Sequence, residues 1–273
     1  MKLKRLLSVL DVCECTADPE LDIRDISFDS RTTQPGDLFA AVCGYESDGH
    51  RFIGAAAERG AAVVLCQRKP EVEIPYILVA DSRLALSRIC CEFFDNPSRE
   101  LTMIGVTGTK GKTTTAHLLA AVLQADGRRV GLVGTNGVCW PGHRHDLNHT
   151  TPESCDLQLL LRRMADDGCD TCVMEVSSLG LKFDRAAEIE FAVGVFTNLS
   201  PDHIGPGEHP DFEDYKCAKR RLFAEYNARM MIYNADDPYS DFMREGFKGE
   251  QISFGIQNAA DYHGQDLAQY RSQ

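Results

Sequence analysis

Gly105-Val-Thr-Gly-Thr-Lys-Gly-Lys-Thr-Thr-Thr115 is the stretch whose reading decides the fold. The apolar run Leu101-Thr-Met-Ile-Gly-Val106 leads into it and reads as a buried strand, and a helical pattern follows from about Lys112 to Gln124. Strand, glycine-rich turn, Lys-Thr and helix is the order of a phosphate-binding loop. Gly108 and Gly111 let backbone N–H groups approach phosphate oxygens with no Cβ in the way. The start of the helix adds partial positive charge. Lys112 can reach the β- and γ-phosphates, and Thr113 can ligate Mg²⁺. The strict pattern G-x-x-x-x-G-K-[ST] is not met, because Val106 stands where its first glycine belongs. The loop is a variant. The competing reading is a Gly/Lys/Thr-rich surface turn, which leaves the flanking strand and helix unexplained.

Outward from the loop, composition sets bounds. The chain of 273 residues has room for one or two domains. Its net charge of −12 argues against nucleic acid and anionic membrane as partners. An anionic nucleotide therefore needs locally placed Lys, Arg and Mg²⁺. No run reaches the roughly 18 apolar residues of a membrane span, and the apolar part of the first ten residues is short for a signal peptide. The 11 cysteines are irregularly spaced and read as free thiols of a reducing cytoplasm. Cys169-Asp-Thr-Cys172 is a lone CxxC. Because Cys172 opens the apolar Cys-Val-Met, a buried strand thiol is favoured over a zinc ligand.

Residues 1–97 read as a small α/β domain. Strands are expected over Asp22–Phe28, Leu38–Val42, Ala61–Cys66 and Tyr76–Val79, with helices over His50–Arg59 and Ser82–Phe94. Asn96-Pro-Ser-Arg-Glu100 is the linker candidate. Ser30-Arg31 ends a strand, where an arginine either grips a phosphate or lies solvated in a turn.

Residues 98–273 read as the second domain. Val130–Val133 is an expected strand, followed by a long loop with His143, His145 and His149; these are read as solvated or substrate-facing rather than metal-bound. Thr150-Thr151-Pro-Glu opens a helix through Met164, and the two hydroxyls can cap it or hold a substrate. The strand Thr171–Val176 carries Glu175-Val-Ser-Ser178 at its end. A carboxylate there, beside a phosphate-binding loop, is placed for Mg²⁺. The strand Ala192–Thr197 ends in Asn198-Leu-Ser-Pro-Asp-His203, and a helix from Asp211 to about Glu225 carries Lys219. Strands Met230–Tyr233, ending in Asn234-Ala-Asp-Asp237, and Gln251–Phe254 follow. Strands alternating with helices predict an α/β fold with a doubly wound, mostly parallel sheet.

Together these residues resemble the Mur ligases, ATP-dependent amide-forming enzymes of peptidoglycan precursor synthesis. The loop Thr107-Gly-Thr-Lys-Gly-Lys-Thr-Thr114 has that family's form, which accounts for the misfit to the strict pattern. Glu175-Val-Ser-Ser, Thr197-Asn-Leu-Ser-Pro-Asp-His203, Ala218-Lys219 and Asn234-Ala-Asp-Asp237 match further motifs in the family's order. Asp29-Ser30-Arg31, Pro35-Gly-Asp-Leu-Phe39 and Thr150-Thr151-Pro are similar to the branch called MurE, which adds a diamino acid to UDP-MurNAc-L-Ala-D-Glu.

The resemblance implies roles. Ser30 and Arg31 would contact the uridine diphosphate part. Thr150, Thr151, Ser177 and Arg185 would hold the MurNAc-peptide. Gly108, Thr109, Lys110, Gly111, Lys112, Thr113 and Thr114 would hold ATP, with Asn234 and Asp237 near its adenine or ribose. Thr113 and Glu175 would bind a first Mg²⁺. His203 would bind a second, helped by Lys219 as its N-carbamate; without the family match Lys219 reads as a helix-surface lysine. Lys112, Lys219 and His203 would be the catalytic groups. The partners implied are the UDP-MurNAc-dipeptide and a diamino acid, with diaminopimelate favoured and lysine left open; the default expectation is a monomer, in the cytoplasm that the free thiols point to. Leu179 replaces the branch's usual histidine, and residues 204–210 differ from its usual loop. The family continues into a third domain that this sequence does not include, so residues 1–273 alone are expected to bind ligands poorly and turn over little. Two alternatives are a catalytically inactive binding fragment and a related ligase, such as one acting on folate.

Overall fold

The computed structural model describes residues 1–44, 47–226 and 228–265. Eight α-helices are found there: α1 (Leu3–Leu7), α2 (Ile53–Glu58), α3 (Ser82–Phe93), α4 (Lys112–Ala125), α5 (Ser154–Asp166), α6 (Ser178–Lys182), α7 (Phe212–Ala224) and α8 (Ser240–Arg244). The chain divides into two compact units. One comprises Met1–Glu100 with Pro152–Asp167 and Phe183–Glu188; the other comprises Leu101–Thr151, Gly168–Lys182 and Ile189–Gln273.

The first unit is built on strands β1 (Val12–Cys15), β2 (Ile26–Ser27), β3 (Leu38–Ala40), β4 (Val63–Cys66) and β5 (Tyr76–Val79). They lie in the order β1-β5-β4-β3-β2, parallel except for β1. A parallel strand covered on both faces needs apolar residues at every position. In β4, Val63 and Leu65 enter the cluster with Leu3, Leu6 and Ile89, while Val64 and Cys66 enter the opposite cluster with Phe39, Ile53 and Ala56. The strand expected from Asp22 shrinks to Ile26–Ser27, and the expected helix from His50 begins as a 3₁₀ turn at Gly49.

Helix α5 packs on α3, and Cys90 and Cys155 from these helices form a disulfide with a Cα–Cα distance of 5.1 Å. The expectation of free thiols throughout is corrected at this pair. The two cysteines are 65 residues apart and meet only because the helices pack. Cys172 is fully buried in a strand, as expected.

The second unit contains β6 (Thr102–Thr107), β7 (Val130–Gly134), β8 (Gly137–Trp140), β9 (His143–His145), β10 (Thr171–Glu175), β11 (Phe191–Phe196), β12 (Met230–Asn234), β13 (Glu250–Gly255) and β14 (Tyr262–His263). Their order is β14-β13-β12-β11-β6-β10-β7-β8-β9. Strands β14 to β7 are parallel, and β7-β8-β9 is an antiparallel meander. The meander corrects the expected long histidine loop: His143 and His145 stand in a strand, His143 stacked on Trp140 at 4.7 Å and His145 tilted against it at 5.4 Å. Strand β6 lies between β11 and β10, where the chain changes the direction in which it adds strands. In such sheets ligands collect outside the carboxyl ends at that point. No helix among the described residues is long and apolar enough to cross a membrane.

Candidate functional site

The loop between β6 and α4 is fixed by close approach to the segment after β11. A Cβ on Gly108 would come within 2.0 Å of Thr197 Oγ1, so only glycine fits there. Gly111 has open space but φ of 83°, a left-handed conformation that favours glycine. Thr197 Oγ1 donates to the Lys110 carbonyl at 2.8 Å, and Asn198 brackets the Lys110 backbone, accepting its N–H at 2.9 Å and donating to its carbonyl at 3.0 Å. The Thr109 hydroxyl accepts from the Ser200 N–H and the Tyr215 hydroxyl, both at 3.0 Å. Lys110 pairs with Asp202 at 2.8 Å, while Lys112 Nζ donates back to the Gly108 and Thr109 carbonyls at 2.9 and 3.1 Å. Burial pulls the Lys112 pKa down.

Glu175 ends β10 and is 1% exposed. Its Oε1 accepts the Thr135 N–H at 2.9 Å; its Oε2 accepts the hydroxyls of Thr113 at 2.9 Å and Thr135 at 3.2 Å. A Cβ on Gly134 would come within 2.2 Å of Oε1, so that glycine makes room for the carboxylate. The expected pair Thr113 and Glu175 therefore meets. Among the described residues no lysine or arginine pairs with Glu175. A buried carboxylate served only by neutral donors beside a phosphate-binding loop is a natural hard-cation ligand. Thr135 belongs to this site and was missed; its only sequence signal is its position just past a strand end. It bonds Thr150, Oγ1 to Oγ1, at 3.0 Å.

Lys219 is 1% exposed inside α7, which excludes the reading as a helix-surface lysine. Its Nζ donates to the Gly108 carbonyl at 2.9 Å and lies 4.7 Å from the Tyr215 ring centre. Burial, then the nearby Lys112 charge, hold its pKa well below the ordinary lysine value. His203 has φ of 55°, and its half-exposed ring bonds Glu208 at 2.7 Å. No hydrogen bond joins it to Thr113, Glu175 or Lys219 among the described residues.

Other expected residues sit in scaffold positions. Asn234 Nδ2 donates to the Thr197 carbonyl at 3.0 Å, and Asp237 accepts the Leu199 N–H at 2.8 Å, so both tie the segment after β12 to that after β11. Thr151 is buried; its hydroxyl donates to the Glu175 carbonyl at 3.1 Å and accepts the Ser177 N–H at 3.0 Å. Ser177 Oγ accepts the Gly180 N–H at 3.0 Å. Neither threonine caps α5, whose N-cap is Glu153.

In the first unit, Ser30 and Arg31 line a cleft of about 510 Å³ together with Phe28, Val42, Arg83 and Glu153. Arg31 pairs with Asp29 at 2.7 Å. Arg185 is buried against Glu153 at 2.6 Å, and Glu153 also meets Arg83 at 3.4 Å. Burial lowers the Arg185 pKa. Arg83 and Glu153 carry no motif and could not be singled out in the sequence. A separate cluster, Cys43, Asp48 and His50, has metal-ligand types at close range. His50 Nδ1 is bonded to Asp48 at 2.7 Å, its Nε2 accepts the Gln67 N–H at 2.9 Å, and Arg68 takes the other Asp48 oxygen. Both ring nitrogens are spent, so the cluster is a structural clasp.

Comparison with known proteins bears on the family and the fold. A family model described as the Mur ligase middle domain matches residues 106–273, and one described as the Mur ligase family catalytic domain matches 22–93. The chain is 36% identical to the UDP-N-acetylmuramoyl-L-alanyl-D-glutamate–2,6-diaminopimelate ligase of Bacillus licheniformis, across 98% of this chain and 56% of that protein. It is 44% identical to the ligase of the same name from Chlorobium phaeobacteroides, across 89% of this chain and 48% of that one. A solved structure of a ligase of that name superimposes with a TM-score of 0.81 at 27% identity, covering 96% of this chain and 54% of the other. MurF from Acinetobacter baumannii, at 22% identity and a TM-score of 0.63, shares the fold, covering 96% of this chain and 54% of its own. The chain spans about half the length of the curated relatives it matches. Matched by the middle-domain model over more than half of its residues, the chain belongs to the Mur ligase family.

Proposed function

We propose that the chain forms the substrate- and nucleotide-binding part of an ATP-dependent ligase that adds a diamino acid, diaminopimelate, to UDP-MurNAc-L-Ala-D-Glu. Residues 1–97 would be the UDP-MurNAc-binding domain and 98–273 the ATP-binding domain. The observation that carries the reading is the meeting of Thr113 with the buried carboxylate of Glu175, which makes no ion pair among the described residues, beside the Gly108–Gly111 turn. Relatives at 36 to 44% identity bearing that ligase name support the substrate class.

The donor set fits Mg²⁺, a hard cation that takes oxygen ligands. Thr113 and Glu175 would hold one ion; His203 and a Lys219 carbamate would hold a second. When bound, Mg²⁺ neutralises phosphate charge and stabilises the transferring group. The chain's residues do the rest. Backbone N–H groups of Gly108–Thr114 and the Lys112 ammonium would cradle the phosphates, offsetting the repulsion between ATP and the D-Glu carboxylate. That carboxylate would take the γ-phosphoryl group as an acyl phosphate, with ADP leaving. The amine of the incoming residue would then attack the carbonyl and expel phosphate. Lys219, depressed by burial, supplies a neutral amine that can add CO₂ and lose a proton to become the anionic carbamate.

The test is calorimetric titration of the 273-residue chain with UDP-MurNAc-L-Ala-D-Glu and, separately, with ATP and Mg²⁺. Binding of the first is expected to be lost in Ser30→Ala/Arg31→Ala, and binding of the second in Lys112→Ala. A folded chain that takes up neither ligand would sink the proposal.

A further inference from the structure

The segment 203–209 closes on itself. The His203 carbonyl accepts the His209 N–H at 3.0 Å, and the Gly205 N–H returns to the His209 carbonyl at 3.0 Å. His203 is held at φ 55°, a conformation that costs a non-glycine residue free energy and persists only where surrounding contacts enforce it. His203 itself bonds Glu208 and stacks on Tyr215 at 6.0 Å, while the far end of the loop is anchored by the His209 ring, which is 0% exposed. The His209 Nδ1 lies 2.5 Å from Asp214 Oδ2 and its Nε2 lies 2.9 Å from Ser178 Oγ. Asp214 also takes the Lys182 ammonium at 2.6 Å and is therefore an acceptor. The ring proton accordingly stands on Nδ1, and the Ser178 hydroxyl donates to Nε2. Tyr215 packs edge-on against the ring at 5.2 Å and, through its hydroxyl, reaches Thr109 of the phosphate-binding loop.

Serine, histidine and aspartate in line is the arrangement of a hydrolytic nucleophile. Here Ser178 and His209 are both buried, so no substrate carbonyl can approach the hydroxyl. What the chain of bonds does is join three pieces: the start of α6 at Ser178, just after the Glu175 strand end, the 203–209 loop and the helix that bears Lys219. We propose that His209 is a positioning residue for the cation centre, pinning that loop so that the His203 ring is held toward its ligand. The inference rests on the reading of Thr113, Glu175, His203 and Lys219 as a cation site.

The test has two arms, both on the whole 273-residue chain. In the first, long-range ¹H–¹⁵N spectra of the histidine rings are recorded without ligand. His209 is expected in the Nδ1–H form, and His209→Gln, which keeps a group near Ser178 but loses Asp214, is expected to shift the His203 resonances. His50 serves as the internal control that the fold survives. In the second, Mn²⁺ affinity is measured with a non-hydrolysable ATP analogue present. His209→Ala is expected to weaken it about tenfold or more, the usual effect of losing an outer-shell partner. His209→Gln is expected to restore part of that loss, and metal-free analogue binding to change less than about twofold. A folded His209→Ala chain with unmoved His203 resonances, or with unchanged Mn²⁺ affinity, overturns the proposal. If the unsubstituted chain takes up no Mn²⁺, the cation-centre reading falls instead, and the first arm alone decides whether His209 places His203.

Discussion

Replacing Glu175 by glutamine removes one negative charge and almost no volume. The carboxylate is buried, and its three hydrogen bonds come from the Thr135 N–H and the hydroxyls of Thr113 and Thr135. A glutamine carbonyl can still accept the N–H, and its amide can donate to hydroxyl oxygens that rotate to accept. Stability should therefore change little, by about 1 kcal/mol at most, since relief from burying a charge offsets weaker hydrogen bonds. Cation binding should change much more. At an effective dielectric of about 20 and a separation of about 4 Å, a carboxylate and a divalent ion attract by roughly 8 kcal/mol before the ion's dehydration is counted. A small surviving fraction, about 1.4 to 2.7 kcal/mol, is ten- to a hundredfold in affinity. Titration of an ATP analogue with and without Mg²⁺, beside a thermal melt, reads both quantities. The expected outcome is an unchanged melt, unchanged metal-free affinity and loss of most of the Mg²⁺-dependent gain. An unchanged Mg²⁺ dependence in Glu175→Gln would refute the assignment of this carboxylate to the cation.

Gly108→Ala places a Cβ 2.0 Å from Thr197 Oγ1 and should abolish nucleotide binding while lowering stability by roughly 1–3 kcal/mol, read by titration and denaturant unfolding. Burial pushes the Cys66 thiol up to about 11, so alkylation at pH 8 should label exposed Cys13 and Cys217 and spare Cys66 and Cys172, as read by peptide mass mapping. Because the folded state disfavours the Cys66 thiolate, its contribution to stability is complete below the unfolded value of 9.0 and fades as pH rises toward about 11. Cys66→Ala should flatten that part of the stability–pH curve. Mapping without reductant should recover Cys90 and Cys155 in one linked peptide pair. Given their separation of 65 residues, reduction should cost roughly 4 kcal/mol of unfolding free energy in the loop-entropy account.

How much was legible follows from the range of each interaction. The phosphate-binding turn was readable because strand, glycines, Lys112 and helix are contiguous and their chemistry is local. Glu175 was readable because a carboxylate at a strand's carboxyl end shares that edge with the turn in a parallel sheet. Lys219 was recognised by its motif, but its burial was hidden among Lys216, Arg220 and Arg221 on the same helix. Only α7 docking against the Gly108 turn turns that one side chain inward. The β8-β9 meander escaped because its histidines and arginine look like a polar loop until Trp140 provides a surface for the two histidine rings to pack on.

By itself the sequence determined the α/β class, the place of the turn in it and most of the residues that converge there, since propensity, periodicity and motif spacing act within a few residues. Tertiary structure alone decided the partners. Thr135 reached Glu175, Asn234 and Asp237 became ties to the Thr197 loop, Arg83 and Arg185 came to share Glu153, Cys90 met Cys155, and His209 came to stand between Ser178 and Asp214. Each of these is a bond between side chains or backbone groups set by packing across the fold, and spacing along the chain carries no record of it.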